Sequence, residues 1–396
     1  MRSNKLAQAF LLDPSVTFLN HGSFGARPLA LVEEAERIRR EIEAGPVEFL
    51  GRRSSALLEG ALAELGAYLG APPADLAFVE NATTAINAVA RSARLGPGDE
   101  VLGSDHEYGA CELAWKRACA AAGAVYRRFS VPLPYAGDGD FLARLEAAIT
   151  PRTRVLFLSH ITGPVDHAED AALPAQAACR LARERGILSV IDGAHVPGHL
   201  PLDLGSLGAD YYAGNCHKWL CAPLGSAFLH VRPEHQAGLE PLVTSWGLVA
   251  EAEGTAAHDG YVGTTALARR LRWLGTRDPS AFLAVPAALR YARGLAMAGD
   301  GERCAELAAG TARRAAELLG LEPLVQEGSG LRMALAPLPP CDAGAVKAAL
   351  FDRYRVEIPA TSYGGASFLR LSFFAYNDES DAEALLGALR ELFPGR

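Results

Sequence analysis

Lys218 closes the run Tyr211–Tyr212–Ala213–Gly214–Asn215–Cys216–His217–Lys218, and Asp192 ends the apolar run Ile187–Leu188–Ser189–Val190–Ile191. A buried-strand pattern that stops at an acid, followed by a short aromatic strand with a His-Lys pair, joins a nucleophilic amine to a fixed carboxylate. The amine can condense with an aldehyde to a Schiff base. The carboxylate can keep a heteroaromatic nitrogen protonated, so that the ring accepts electrons from a carbanion at an amino-acid Cα. Together these residues suit pyridoxal phosphate. Taken singly, Asp192 reads equally well as a helix cap and Lys218 as a surface lysine; their joint context favours the cofactor.

Asn81–Ala82–Thr83–Thr84 opens a helix after the short apolar strand Leu76–Val79. Two hydroxyls and free backbone N–H groups at a helix start suit a phosphate. Plain N-capping by Thr83 is the competing explanation, and beside Lys218 and Asp192 phosphate binding is the stronger of the two.

The elements that must carry these groups alternate. Glu33–Glu43 and Ala56–Leu69 have helical spacing, and Glu100–Gly103 reads as a strand followed by a turn and a helix through Ala122. Val155–Ser159 and Ile187–Ile191 read as buried strands separated by a Leu173–Arg185 helix. This predicts an α/β fold with a mostly parallel, mixed sheet covered by helices, whose ligands bind beyond the carboxyl ends of the strands. From about Pro279 an Ala-rich helix, a helix near Arg303–Leu319, strands at Val356–Ile358 and Phe368–Phe373, and a helix at Glu379–Leu392 predict a smaller C-terminal α/β domain. The expected division is an N-terminal segment, 1–25, packed near the small domain; a large domain, 26–278; and the small domain, 279–396.

At 396 residues, 49% hydrophobic and 21% charged, the chain has material for a substantial core. A net charge of −8 without a long basic run argues against nucleic-acid or anionic-membrane partners. No segment reads as a signal peptide or a transmembrane helix. Seven cysteines, an odd number without C-x-x-C spacing, predict reduced thiols in a cytoplasm.

The order of several motifs carries a resemblance. Leu19–Asn20–His21–Gly22–Ser23–Phe24–Gly25, Asn81–Asn87, Asp105–His106–Glu107–Tyr108–Gly109, Asp192–Gly193–Ala194–His195, His217–Lys218–Trp219–Leu220, Ser245–Trp246–Gly247, Gly275–Thr276–Arg277–Asp278 and Leu369–Arg370–Leu371–Ser372 span nearly the whole chain. The sequence resembles the class V aminotransferase family of fold-type I pyridoxal-phosphate enzymes, in its isopenicillin N epimerase-like group. The resemblance implies that Lys218 is the Schiff-base lysine and the base at Cα. Asp192 would hold the pyridinium nitrogen, and His195 would reach the ring hydroxyl or the imine region. His106 would stack on the ring, with Tyr108 the competing choice. Thr83, Thr84, Asn215, His217 and the Ala82 N–H would bind phosphate. Thr276 would reach the phosphate of a second subunit's cofactor, which implies a homodimer with shared sites. Arg370 would grip the substrate carboxylate bidentately, or else form a surface salt bridge. Asn20 and His21 would close the site or serve as turn residues. Tyr363, in a Tyr-Gly-Gly run, would belong to a flap beside Arg370 or to a simple turn.

Two features narrow the reaction. Relatives carry Ser-Pro-Thr-Gly after the strand ending in Ser-His, whereas Ser159–His160 here leads into Ile161–Thr162–Gly163–Pro164–Val165–Asp166–His167–Ala168–Glu169–Asp170. Its acidic cluster could bind a metal, contact a cationic substrate or be a solvated loop; no metal site is assigned. The stretch before Arg370 lacks the nucleophilic cysteine of a cysteine desulfurase, and Cys216 and Cys221 read as packing. The expected activity is a lyase of specialised metabolism, in which proton removal at Cα is followed by loss of a β-substituent such as a thiol. An epimerase comes next, its second acid/base being Tyr108, Tyr363 or His21. Decarboxylation-linked chemistry and a cofactor-binding module without catalysis are the remaining alternatives.

Overall fold

The computed structural model describes residues 5–162, 172–253, 259–325 and 330–395. Val165 and the Asp166, His167, Glu169 and Asp170 cluster lie outside the described residues.

Twelve strands are numbered in chain order: β1 Thr17–Phe18, β2 Leu76–Val79, β3 Glu100–Ser104, β4 Val125–Phe129, β5 Thr153–Ser159, β6 Leu188–Asp192, β7 Tyr211–Asn215, β8 Ala227–Val231, β9 Met333–Leu338, β10 Val356–Glu357, β11 Ala360–Tyr363 and β12 Ala366–Ser372. Seven form one sheet in the order β2-β8-β7-β6-β5-β3-β4. β8 is antiparallel to both its neighbours, β2 and β7, and the other four pairings are parallel. β8 therefore runs alone against six strands, and the carboxyl ends of those six share one edge. The central strands are mostly apolar and almost wholly buried, as a sheet covered on both faces requires. Two separate apolar clusters form, one containing Leu102, Leu158 and Tyr212, the other Val101, Phe157 and Ala213.

A second, antiparallel sheet has the order β11-β12-β9. The helices Asp300–Leu318, Ala343–Tyr354 and Glu379–Leu392 contribute to one apolar cluster with it. β9 is an edge strand, which accommodates Pro337 without losing an internal ladder bond. β1 pairs in parallel with β10, and the Ser372 N–H donates to the Leu19 carbonyl at 2.9 Å. These bonds carry the N-terminal segment to the edge of the large sheet. Gly25 is fixed there by close approach: its φ is +71°, and a Cβ would lie 2.4 Å from the His217 carbonyl oxygen. Tyr363–Ala366 closes a tight hairpin between β11 and β12, so the Tyr-Gly-Gly run is a turn.

The sequence reading placed the His-Lys pair on a strand. β7 instead ends at Asn215, and Lys218 sits in the turn beyond it. No helix among the described residues is long and apolar enough to cross a membrane.

Candidate active site

The carboxyl edge of the large sheet and the N-terminal segment enclose a cleft of about 620 Å³. Asp192, at the end of β6, lines it and is buried. One of its oxygens accepts the Ala194 N–H at 3.0 Å, and the other accepts the Cys111 thiol at 3.4 Å. Burial pushes this carboxyl above its ordinary range. Gly193 lets the chain leave the strand here, since a Cβ would meet the Tyr212 hydroxyl at 2.0 Å.

The Lys218 amine lies 2.9 Å from His195 Nε2. On the far side of that ring, Nδ1 accepts the Trp219 indole N–H at 3.3 Å. A neutral imidazole that accepts at Nδ1 carries its proton on Nε2, and donating it to Lys218 requires the amine as a free base. The electrostatics agree. Desolvation, helped by the Arg370 charge, lowers Lys218 to about 7, and desolvation with the lysine charge drives His195 well below its usual value. Near neutral pH a large share of the lysine is therefore a free-base nucleophile, held by an uncharged ring.

Arg370 lies on β12, between β9 and β11, and is 1% exposed. The strand alternation expected from Leu369 and Leu371 holds: both leucines pack in the small sheet's apolar cluster, while Arg370 lines the cleft. Its Nη2 donates to Ser23 Oγ at 2.9 Å. Ser23 Oγ donates to Asn20 Oδ1 at 2.5 Å, and Asn20 Nδ2 donates to Glu357 at 3.1 Å. Asn20 thus lines the cleft as part of the arginine's support.

Ala82, Thr83, Asn215 and His217 all line the cleft. The Ala82 N–H donates to Asn215 Oδ1 at 2.9 Å, and His217 Nδ1 lies 3.0 Å from the Ser226 carbonyl. Thr83 is not the helix cap. Asn81 caps Ala82–Ser92, accepting the Thr84 N–H at 2.8 Å and facing the Thr84 hydroxyl at 3.1 Å. Thr84 therefore serves the cap and is not among the described residues lining the cleft.

Several expected residues sit elsewhere. His106 is buried behind the wall, with its ring edge-on to Tyr363 at 5.4 Å. Tyr108, 41% exposed, lines the cleft in its place. Two residues further along the turn, its side chain emerges on the cleft side. Tyr363 donates to Asp105 at 3.0 Å and does not reach the cleft lining. His21 is stacked on Phe374 at 3.9 Å, with Nδ1 3.0 Å from the Tyr376 hydroxyl and Nε2 3.1 Å from the Lys218 carbonyl. It props the Lys218 turn from behind instead of closing the site. Thr276 is exposed and outside the cleft lining. Sequence reasoning missed Ser23, Glu357 and Cys111; Ser23 lay in a quoted motif and Glu357 in the expected strand Val356–Ile358, but only the fold joins them to Arg370.

The family model "Aminotransferase class-V" matches residues 42–385. Isopenicillin N epimerase of Amycolatopsis lactamdurans is 40% identical over 96% of this chain and 96% of its own length. A putative L-cysteine desulfhydrase of Oryza sativa is 27% identical over 96% of this chain and 84% of its own. The structure of a cysteine desulfurase from Thermococcus onnurineus superposes with a TM-score of 0.79 at 18% identity, covering 98% of this chain and 97% of that one. A motif order, a mixed sheet and a lysine-bearing cleft thus converge with these matches, and the chain belongs to the class V aminotransferase family.

Proposed function

We propose that this chain is a pyridoxal-phosphate enzyme that moves the Cα proton of an amino-acid substrate. The free-base Lys218 held by His195, with buried Asp192 in the same cleft, carries this reading. The residues present fit the cofactor. A free-base amine is ready for an aldehyde, a carboxyl lifted by desolvation regains a partner beside a ring cation, and Thr83, Asn215 and His217 form a polar wall for the phosphate, the Ala82 N–H being held by Asn215. When bound, pyridoxal phosphate supplies the aldehyde and an electron-accepting ring.

The chain's own groups do the rest. Asp192 would hold the ring nitrogen, and Tyr108, on the cleft wall, would lie against the ring. Arg370, braced by Ser23, grips the substrate α-carboxylate and fixes which Cα bond faces Lys218. Lys218 takes the proton. The epimerase relative favours return of a proton to the opposite face as the outcome. Of the three candidates for that second donor, Tyr108 lines the cleft, whereas His21 and Tyr363 are not among the described residues lining it. Elimination, placed first from the sequence, becomes the second reading, supported by the desulfhydrase relative. Incubation with amino acids in deuterated water separates the two. Deuterium at Cα of a racemising amino acid supports epimerisation, and a keto product with a released thiol supports elimination. Retention of the Cα proton by every amino acid turned over would sink proton transfer itself.

The depressed Lys218 value has a kinetic consequence. With half-neutralisation near pH 7, the free-base fraction rises about tenfold between pH 6 and 8. Capture of pyridoxal phosphate by the apoprotein should accelerate accordingly, measured by stopped-flow absorbance. A flat profile over that range would contradict the uncharged amine.

We further propose a cytoplasmic homodimer in which Thr276, exposed and outside its own cleft, reaches the partner's cofactor phosphate. All seven cysteines are free, in keeping with a reducing compartment. A fully active monomer in sedimentation would exclude the shared site.

A further inference from the structure

Glu107 has no part in the chemistry above, yet its carboxylate gathers four donors in a buried position. Oε1 accepts the Ser104 hydroxyl at 2.6 Å and the Ser104 N–H at 3.3 Å. Oε2 accepts the Ser159 hydroxyl at 2.8 Å and the Ser159 N–H at 2.6 Å. Ser104 ends β3 and Ser159 ends β5, two neighbouring parallel strands, and of the two ends that of β5 reaches the cleft lining. Ser159 itself lines the cleft and pairs in register with Asp192.

Parallel strands are normally free to splay where their ladder stops, and here a single side chain staples two of them together. A carboxylate is costly to bury unless its lone pairs are filled, and this one is filled by one serine from each strand. The stapled residue is also covalently next to Tyr108, which forms the cleft wall and leads into the helix Gly109–Ala122. One turn into that helix, Cys111 donates to Asp192. The short segment from Glu107 to Cys111 therefore links both strand ends to a wall of the cleft and to its carboxylate.

Resting on the pyridoxal-phosphate reading, we propose that Glu107 is a positioning residue that sets Tyr108 against the cofactor face by locking the ends of β3 and β5 together. It touches neither substrate nor cofactor. A glutamine keeps its size but offers one acceptor oxygen where two are used, leaving one serine's donors unmatched.

The test is a double-mutant cycle on the apoprotein titrated with pyridoxal phosphate, read as Kd and as visible circular dichroism of the bound cofactor. Glu107→Gln and Tyr108→Ala should each raise Kd roughly tenfold and reduce the dichroic band alike. The double variant should be no weaker than Tyr108→Ala alone. Ser104→Ala, which removes one hydroxyl donor outside the cleft lining, enters the same cycle if Glu107→Gln does not fold, with a smaller loss in the same direction. Additive losses, or a Glu107 or Ser104 variant with wild-type Kd and dichroism, would overturn the positioning role. Wild-type protein that takes up no pyridoxal phosphate would instead defeat the functional reading, so the two failures are distinguishable.

Discussion

Lys218→Ala is expected to lose turnover by roughly 10⁴-fold or more, because in the proposed function one residue supplies both covalent capture and the proton transfer at Cα. The loss should fall on kcat at saturating substrate, with the protein still folded. The amine sits in a turn whose shape is set by other groups: Gly25 against the His217 carbonyl, His21 at the Lys218 carbonyl and Trp219 against His195. None of these depends on the lysine side chain. Lys218→Arg should rescue little, since a guanidinium stays protonated at any working pH and cannot accept the His195 proton. Added primary amines should restore a fraction of Lys218→Ala activity and none of the wild type's. An alanine variant within tenfold of wild type, free of wild-type contamination, would remove Lys218 from the chemistry.

Arg370→Ala ranks next. Losing a charge-assisted, bidentate carboxylate contact should cost about 2–4 kcal/mol of transition-state stabilisation, or roughly 30- to 1000-fold in kcat/KM. Arg370→Lys should recover only part, because an ammonium lacks the planar fork. The structure adds a second consequence. Arg370 anchors Ser23, which anchors Asn20, so the alanine variant should also loosen the N-terminal wall of the cleft. Cleavage of the apoprotein by protease near Asn20–Phe24 should quicken in Arg370→Ala and less so in Arg370→Lys. Wild-type kcat/KM in Arg370→Ala, with cofactor still bound, would show that the carboxylate is held elsewhere.

What the sequence exposes of this site follows a physical rule. Asp192 and Arg370 are legible because each interrupts or ends an apolar run on a buried strand, where a charge must have a reason. The helix at Glu379–Leu392 is read to the residue, and the structure shows Asp378 and Asp381 forming a capping box at its start. β4 is not legible: it is an edge strand whose Val-Tyr-Arg-Arg-Phe run exposes two of five residues and alternates in no regular way. β8 and β9 were missed for lack of a bounded alternating pattern, although β8 supplies the reversal that orders the sheet.

Choosing between His106 and Tyr108 required knowing which way one turn faces, a question that residue type does not answer. His21 had a motif to recommend it, but its partners Phe374 and Tyr376 come from the far end of the chain. Thr83 was plausible as the cap by type; geometry gives the cap to Asn81. The staple by Glu107 combines a carboxylate and two serines from two separate stretches, 104–107 and 159, and only the pairing of β3 with β5 makes it one object.

The central claim is that pyridoxal phosphate is held covalently by one lysine in this cleft. Protein loaded with the cofactor, reduced with borohydride, digested and mapped by mass spectrometry tests it directly. The prediction is a single pyridoxyl-modified peptide, the one containing His217–Lys218–Trp219, and its absence from Lys218→Ala treated identically. A modification spread over surface lysines, or none at all, would contradict the account.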